Sequence, residues 1–488
     1  MSVRAISPAT VFFVGAVFVM CSLGAKQSEP SQKSQVDKLI SAGKFSEAEK
    51  LLKSQIANPD APITNDEAAI QLEVLRRTRQ DFPLTNEQVF VEIQKSVPDA
   101  TKDDVERWRK EGNLNFRMID GEPRYFSRAV PNLFRFSKEA KQRQQHIEAK
   151  KDFNTTALVE KLVKLSAASS DPMVYPVKHH ITYELTVRDN NPRVKPGAQV
   201  RAWLPFPQEY RQQHDVKLIS SDPPDGKIAS KDAPQRTIYF EQTISDASKA
   251  PHFKIVFDYL TSAYCPKLDP AKVKPYDTNG DIYREFTAER PPHIVFTPEV
   301  KQLAKEIIGD EQNPLEKARR VFRWISKNVP WCAENEYCII PSLSVKGLTA
   351  RRGDCGVQGT SFITLCRAAG IPARWQSGWQ TKPGDLNMHD WSEIYIEPWG
   401  WLPADASYGV RDHSDPRVRD FFCGHIDPYR LIVNLDYGRE LEPPKTSFRS
   451  EPTDFQRGEI EIDGHNLYFD EWEYKFQADT TPLADESH

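Results

Sequence analysis

The sequence predicts an α+β chain in which an antiparallel β-sandwich separates a helical N-terminal region from a helix-plus-sheet domain. Three observations carry this. Apolar residues recur at helical spacing up to about residue 170. Between Tyr175 and Tyr264 the period drops to two: Ile181, Tyr183, Leu185 and Val187 alternate with Thr182, Glu184, Thr186 and Arg188, and Phe253, Ile255, Phe257 and Tyr259 recur likewise. Beyond residue 293 helical and strand patterns mix again, starting with Leu315, Ala318, Val321, Phe322 and Ile325 on one helix face. At 488 residues the chain exceeds one ordinary domain. The boundaries drawn from these changes are 1–25, 26–170, 175–265, 293–440 and 441–488.

Residues 1–25 read as a secretory signal: Arg4, the apolar run "TVFFVGAVFVMC", then Ser22-Leu23-Gly24-Ala25. The run is too short to span a membrane comfortably, and no other stretch reaches spanning length. The expectation is an exported protein, periplasmic or extracellular, with no membrane span. A lipoprotein would carry Cys21 at its new N-terminus, but Met20 is a poor match before it, so that reading ranks second. A net charge of −4 and a pI near 6.3 argue against a nucleic-acid partner or an anionic membrane surface.

The region 26–170 opens with a helical hairpin: Val36, Leu39 and Ile40, then Gly43, then Phe45, Ala48, Leu51 and Leu52. Half a tetratricopeptide repeat looks similar, yet no second copy follows. Thr85 with Gln88 fits a capping box, and Thr101 caps the next helix. Asp120-Gly121 then turns between "NFRMI" and "PRYF". Two helices and a hairpin make a small winged-helix-like unit, better read as a packing module than as a DNA reader given the charge. Residues 138–152 read as a charged, exposed helix.

Within 175–265, Val200–Leu204 and Thr237–Phe240 add strands to the sandwich. His179 and His180 face opposite sides of their strand, so they are no metal pair. "DTNGD" from Asp277 fails the calcium-loop pattern and reads as a turn. Residues 266–292 form a proline-rich connection. The segment 441–488 is a strand-rich extension containing "GEIEI" and "NLYFDEWEYKF", expected as an edge sheet.

The chemistry concentrates after residue 350. In "ARRGDCGVQGTSFITLCRAAGIPARWQSGW", Val357, Phe362, Leu365, Cys366 and Ala369 recur at helical spacing. Asp354 is a good N-cap, and Gly370 with Pro372 supplies the stop. Cys355 therefore falls on the first turn, where free N–H groups and the helix dipole favour a thiolate and can hold an oxyanion. A nucleophilic thiol needs a base, and the base an orienter. His389 follows 34 positions later (389 − 355), and Asp405 another 16 later (405 − 389). "HDWSEIYI" and "WLPAD" flank the turn at Pro398 to Gly400 and read as a β-hairpin that sets His389 beside Asp405. Cys366, about three turns along, reads as a small buried hydrophobe. Cys332 and Cys338 in "WCAENEYC" have the spacing for a disulfide in an oxidising compartment. No His or Cys stands at zinc-ligand spacing with Cys355 or His389, so neither metal nor cofactor is expected.

A lone helical cysteine is usually core packing, and a lone strand histidine a satisfied structural group. Here several motifs stand in fixed order: Gly353-Asp354-Cys355-Gly356; Arg367-Ala368-Ala369-Gly370-Ile371-Pro372-Ala373-Arg374; His389-Asp390-Trp391-Ser392-Glu393-Ile394-Tyr395; and Trp401-Leu402-Pro403-Ala404-Asp405. This order resembles the transglutaminase-like superfamily, cysteine enzymes of papain-like logic. Peptide N-glycanases share its triad but carry paired C-x-x-C zinc motifs that this chain lacks. The resemblance implies a Cys355–His389–Asp405 triad acting on peptide or amide bonds of a protein or peptide substrate, as a protease, an amidase or a transglutaminase. It also implies an oxyanion hole from the Cys355 backbone N–H and an upstream residue such as Trp331. The rival expectation is a catalytically silent peptide- or glycan-binding module on the same fold.

Overall fold

The computed structural model describes residues 32–56, 64–145 and 153–483. The expected signal segment and Cys21 lie outside these residues, as does the end of the charged helix after residue 145. The chain forms two compact units, 1–148 and 149–488, and no helix among the described residues is long and apolar enough to cross a membrane.

The first unit contains the helical hairpin Gln32–Ser41 and Phe45–Ile56. The helix Asn65–Asp81 follows, capped by a Thr64–Glu67 box that the reading of the sequence passed over. Capping boxes at Thr85–Gln88 and Thr101–Asp104 then open Asn86–Gln94 and Lys102–Lys110. The hairpin Phe116–Ile119 with Glu122–Tyr125 turns at Asp120-Gly121, both at positive φ as a primed turn requires.

The second unit holds the sandwich, and its membership differs from the expected 175–265. One sheet runs Trp472–Pro482, Met173–Val187, His252–Tyr264, Gln213–Asp222. The other runs His465–Leu467, Glu459–Ile462, Gln199–Pro205, Thr237–Thr243, Lys227–Ile228. The C-terminal strands are thus integral: Tyr474 pairs Leu185, and Ile460 pairs Ala202. They belong there because Ile460, Ile462, Leu467 and Trp472 bury the same core as Ile181, Tyr183, Leu185 and Val187.

That core also takes Trp379, Leu431 and Val433 from a third sheet, of order Gly400–Ala404, Asp385–Ile396, Ala373–Lys382, Arg430–Asn434, antiparallel throughout. Its strands come very close at Gly378, where a Cβ would lie 1.9 Å from the Leu431 carbonyl oxygen. Helices Pro298–Ile308, Pro314–Asn328, Leu343–Ala350 and Cys355–Ala368 complete this half. The proline-rich stretch 266–292 is anchored rather than loose: it carries the helix Asp281–Thr287, and the Tyr276 hydroxyl donates to the Tyr395 carbonyl at 2.7 Å.

Buried His179 links sandwich and third sheet. It stacks on Tyr259, its Nε2 lies 3.1 Å from the Pro428 carbonyl, and its Nδ1 lies 3.3 Å from the Thr381 hydroxyl. Burial lowers its pKa to about 3. A depressed pKa means stability present above the unfolded value, about 6.5, and lost as pH falls through the folded value. The Tm advantage of wild type over His179→Gln should therefore shrink as pH drops from about 7 toward 4. Thermal melts of both proteins check this, and a gap independent of pH contradicts it. Buried carboxylates, present in both, cancel in the difference.

Candidate active site

Cys355 opens the helix Cys355–Ala368, as the Asp354 cap requires: the Asp354 carboxylate accepts from the Val357 N–H at 3.1 Å. Gly370, at φ +76°, ends the helix. Cys355 is only partly buried, whereas the helix from Gly356 to Arg367 is buried. Cys355 thus keeps some exposure as a residue, and Cys366 has none.

Asp385–Ile396 and Gly400–Ala404 form the predicted hairpin, Ser392 opposite Ala404, so Asp405 leaves the second strand beside His389. His389 Nε2 sits 2.8 Å from Asp405 Oδ2; His389 is 5% exposed and Asp405 fully buried. Asp405 Oδ1 accepts from the N–H groups of Ser407 and Tyr408, both at 3.1 Å, and Tyr408 packs edge-on against the imidazole. With Nε2 committed to Asp405, Nδ1 is the nitrogen left to take a proton from a thiol.

The Cys355 thiol donates to a different residue. Its Sγ lies 3.4 Å from Oδ2 of Asp390, the residue after His389, and no Cys355–His389 hydrogen bond accompanies this. Asp390 Oδ2 also lies 3.1 Å from the Tyr337 hydroxyl, and Oδ1 accepts from Gln456 Nε2 at 2.6 Å. Gln456 Nε2 in turn lies 2.9 Å from the His389 carbonyl, tying the C-terminal segment to the histidine strand.

The electrostatics depart from the expected helix-end thiolate. Burial pushes the Cys355 thiol up, and Asp354 beside it adds to this. Burial, with Glu334 beside it, lifts Asp354 to about 7. The resting sulfur is thus a neutral thiol, because burial, with Asp354 beside it, outweighs the helix dipole. Burial also lowers the imidazole of His389, only partly opposed by Asp405, so the base is neutral and ready to accept. Asp405 is the reverse case: His389 and Arg430 overcome its burial and hold it well below the usual carboxylate range.

Arg430 lies beneath the pair. Its NH1 is 2.8 Å from Asp405 Oδ2, a charge contact without hydrogen-bond alignment, and its NH2 is 2.8 Å from Asp427 Oδ2. Lys382, lowered to about 8 by burial, sits over the Tyr408 ring. Glu393 of the H-x-W-x-E stretch is not at the reaction centre; buried, it binds Arg374 at 2.7 Å and the Tyr210 hydroxyl at 3.0 Å, fastening strand to sandwich.

Trp331 forms an isolated bridge with Gly353, just before the helix of Cys355, and the Cys332 N–H donates to the Gly353 carbonyl at 3.1 Å. Cys332 and Cys338 are not joined: all six described cysteines are free. Cys332 points to Glu334, while the short turn Tyr337–Ile339 carries Cys338 toward the Tyr468 hydroxyl, 3.7 Å away.

Sequence reasoning missed Asp390, Tyr337, Gln456 and Arg430. Asp390 was detectable as a charged residue inside a strand otherwise fit for burial. The others come from distant segments and left no local signal.

The transglutaminase-like superfamily profile matches residues 301–406. An uncharacterized protein of Haemophilus influenzae is 25% identical over 269 residues, 46% of this chain and 67% of that protein. The uncharacterized protein YebA of Bacillus subtilis is 26% identical over 151 residues, 27% of this chain and 20% of YebA. Among solved structures, a protein proposed to be a cysteine protease from Cytophaga hutchinsonii superposes with a TM-score of 0.42 at 17% identity, covering 64% of this chain and 92% of that one. The periplasmic domain of TgpA from Pseudomonas aeruginosa gives 0.25 at 14% identity, covering 56% and 98%.

Proposed function

From the transglutaminase-like domain that this chain carries at residues 301–406, we propose a cysteine-dependent acyl-transfer enzyme acting on peptide or amide bonds. One observation supports it above the others: a buried His389–Asp405 pair at 2.8 Å, with His389 on the strand whose next residue, Asp390, lies 3.4 Å from the Cys355 sulfur.

Cys355 Sγ attacks the carbonyl carbon as its proton passes to His389 Nδ1, and Asp405 holds the imidazolium through Nε2. The Cys355 backbone N–H, at the helix start, and a donor at Trp331 receive the oxyanion. As the tetrahedral intermediate collapses, the C–N bond breaks and His389 returns the proton to the leaving amine. The resulting thioester passes its acyl group to water, giving hydrolysis, or to a lysine amine, giving a crosslink. The N-terminal apolar run supports an exported enzyme with a protein or peptide substrate.

Incubating the full chain with a peptide library and reading products by mass spectrometry tests this. Cleaved or crosslinked products that vanish with Cys355→Ala are expected, and their type decides the acceptor. Products that persist in Cys355→Ala would overturn the proposal.

A further inference from the structure

Asp390 touches the nucleophile yet has no part in the steps above. Its carboxyl is 1% exposed. Its direct partners are all uncharged in the resting site: the Cys355 thiol, the Tyr337 hydroxyl and the Gln456 amide. The charged groups around it are mostly further acids, Asp354 at the helix cap and Glu451 and Asp454 on the C-terminal segment. The cation on that segment, Arg457, is taken by Glu336 and Glu451. A carboxyl buried among neutral partners and other acids keeps its proton. Gln456 Nε2 donates to Oδ1, while the Cys355 thiol, 3.4 Å away, and the Tyr337 hydroxyl donate to Oδ2; once the thiol has lost its proton, Oδ2 is the oxygen placed to turn a hydroxyl toward sulfur.

The surroundings hold this geometry. The Tyr337 oxygen accepts from the Gly356 N–H at 3.1 Å, fixing the ring beside Oδ2. A Cβ at position 356 would lie 2.1 Å from that oxygen, so glycine after the cysteine is what admits Tyr337.

We infer that Asp390 is a catalytic neutral acid whose Oδ2–H donates a hydrogen bond to Cys355 Sγ when that sulfur becomes a thiolate. The inference rests on the acyl-transfer reading of Cys355. The protons balance: the thiol proton goes to His389 Nδ1, and Asp390 keeps its own. A hydrogen bond to an ionised acceptor is about twice as strong as a neutral one, so it adds to the attraction of the imidazolium formed at His389. Burial, with Asp354 nearby, pushes the Asp390 pKa well up, in keeping with this role.

The test is alkylation of the full-length protein by iodoacetamide at neutral pH, following the Cys355 peptide by mass spectrometry with buried Cys366 as internal reference. Asp390→Ala should slow Cys355 labelling about tenfold to a hundredfold, the size of one hydrogen bond to a charged group. Asp390→Asn should restore the rate to within about threefold of wild type, because the amide N–H donates without carrying charge. Circular dichroism establishes folding; should Asp390→Ala not fold, Asp390→Ser takes its place. An Asn variant as slow as Ala would assign the effect to the carboxylate charge and overturn the inference. So would an Ala variant that labels like wild type or faster, or a wild-type Cys355 no more reactive than Cys366. Iodoacetamide reads the sulfur without substrate, so failure of the acyl-transfer reading appears separately, as absent products from a normally reactive thiol.

Discussion

Cys355→Ala is expected to abolish formation of any acyl-enzyme, reducing a thiol-directed acyl probe's signal at this position to background. Among the described cysteines, Cys265, Cys332, Cys366 and Cys423 are buried, with thiols pushed up by burial, and Cys338 sits against Tyr468. His389→Ala should lose about as much, because the resting thiol is neutral and ionises only if a base removes its proton. Asp405→Asn should keep some activity. Orienter losses elsewhere reach about 10⁴-fold, and here the Ser407 and Tyr408 N–H groups still hold the side chain at Oδ1. The measurement is the probe-labelling rate of each variant. Wild-type labelling of Cys355→Ala, or loss only with Cys366→Ser, would reverse the nucleophile assignment.

Arg430→Met should destabilise the protein by about 3–5 kcal/mol, the cost of removing one partner from a buried ion pair. Asp405 and Asp427 are both fully buried and both face this guanidinium at 2.8 Å. Methionine keeps the apolar stem but leaves two carboxylates without that cation. The variant should also raise the basicity of His389, since the Arg430 charge is among the causes that lower it. Urea unfolding gives the first effect, and the pH profile of thiol labelling gives the second. An unchanged midpoint would show that Lys382 and the backbone donors suffice. Arg430→Lys should recover only part of the loss, because a compact ammonium cannot span both acids as the planar fork does.

The site was legible where its chemistry is local. Asp354 before an apolar helical period announces a cap, and so places Cys355 on a first turn. "HDWSEIYI", a turn and "WLPAD" announce a hairpin, and so pair His389 with Asp405. Both inferences use the period and end signals of elements a dozen or so residues long, which side-chain pattern alone specifies.

What only the tertiary structure decided lies in contacts between distant segments. Arg430 reaches Asp405 across the sheet, and Gln456 reaches Asp390 from the C-terminal stretch that also completes the sandwich through Glu459–Ile462. The resting state of the thiol was decided the same way. Sequence places Cys355 at a helix N-terminus, which favours a thiolate, but burial, with Asp354 packed beside it, reverses the sign. Desolvation depends on everything packed around a group, and a linear sequence does not carry that sum. Sequence by itself therefore determined which residues can do the chemistry and on which elements they stand; the packed structure decided their protonation and their partners.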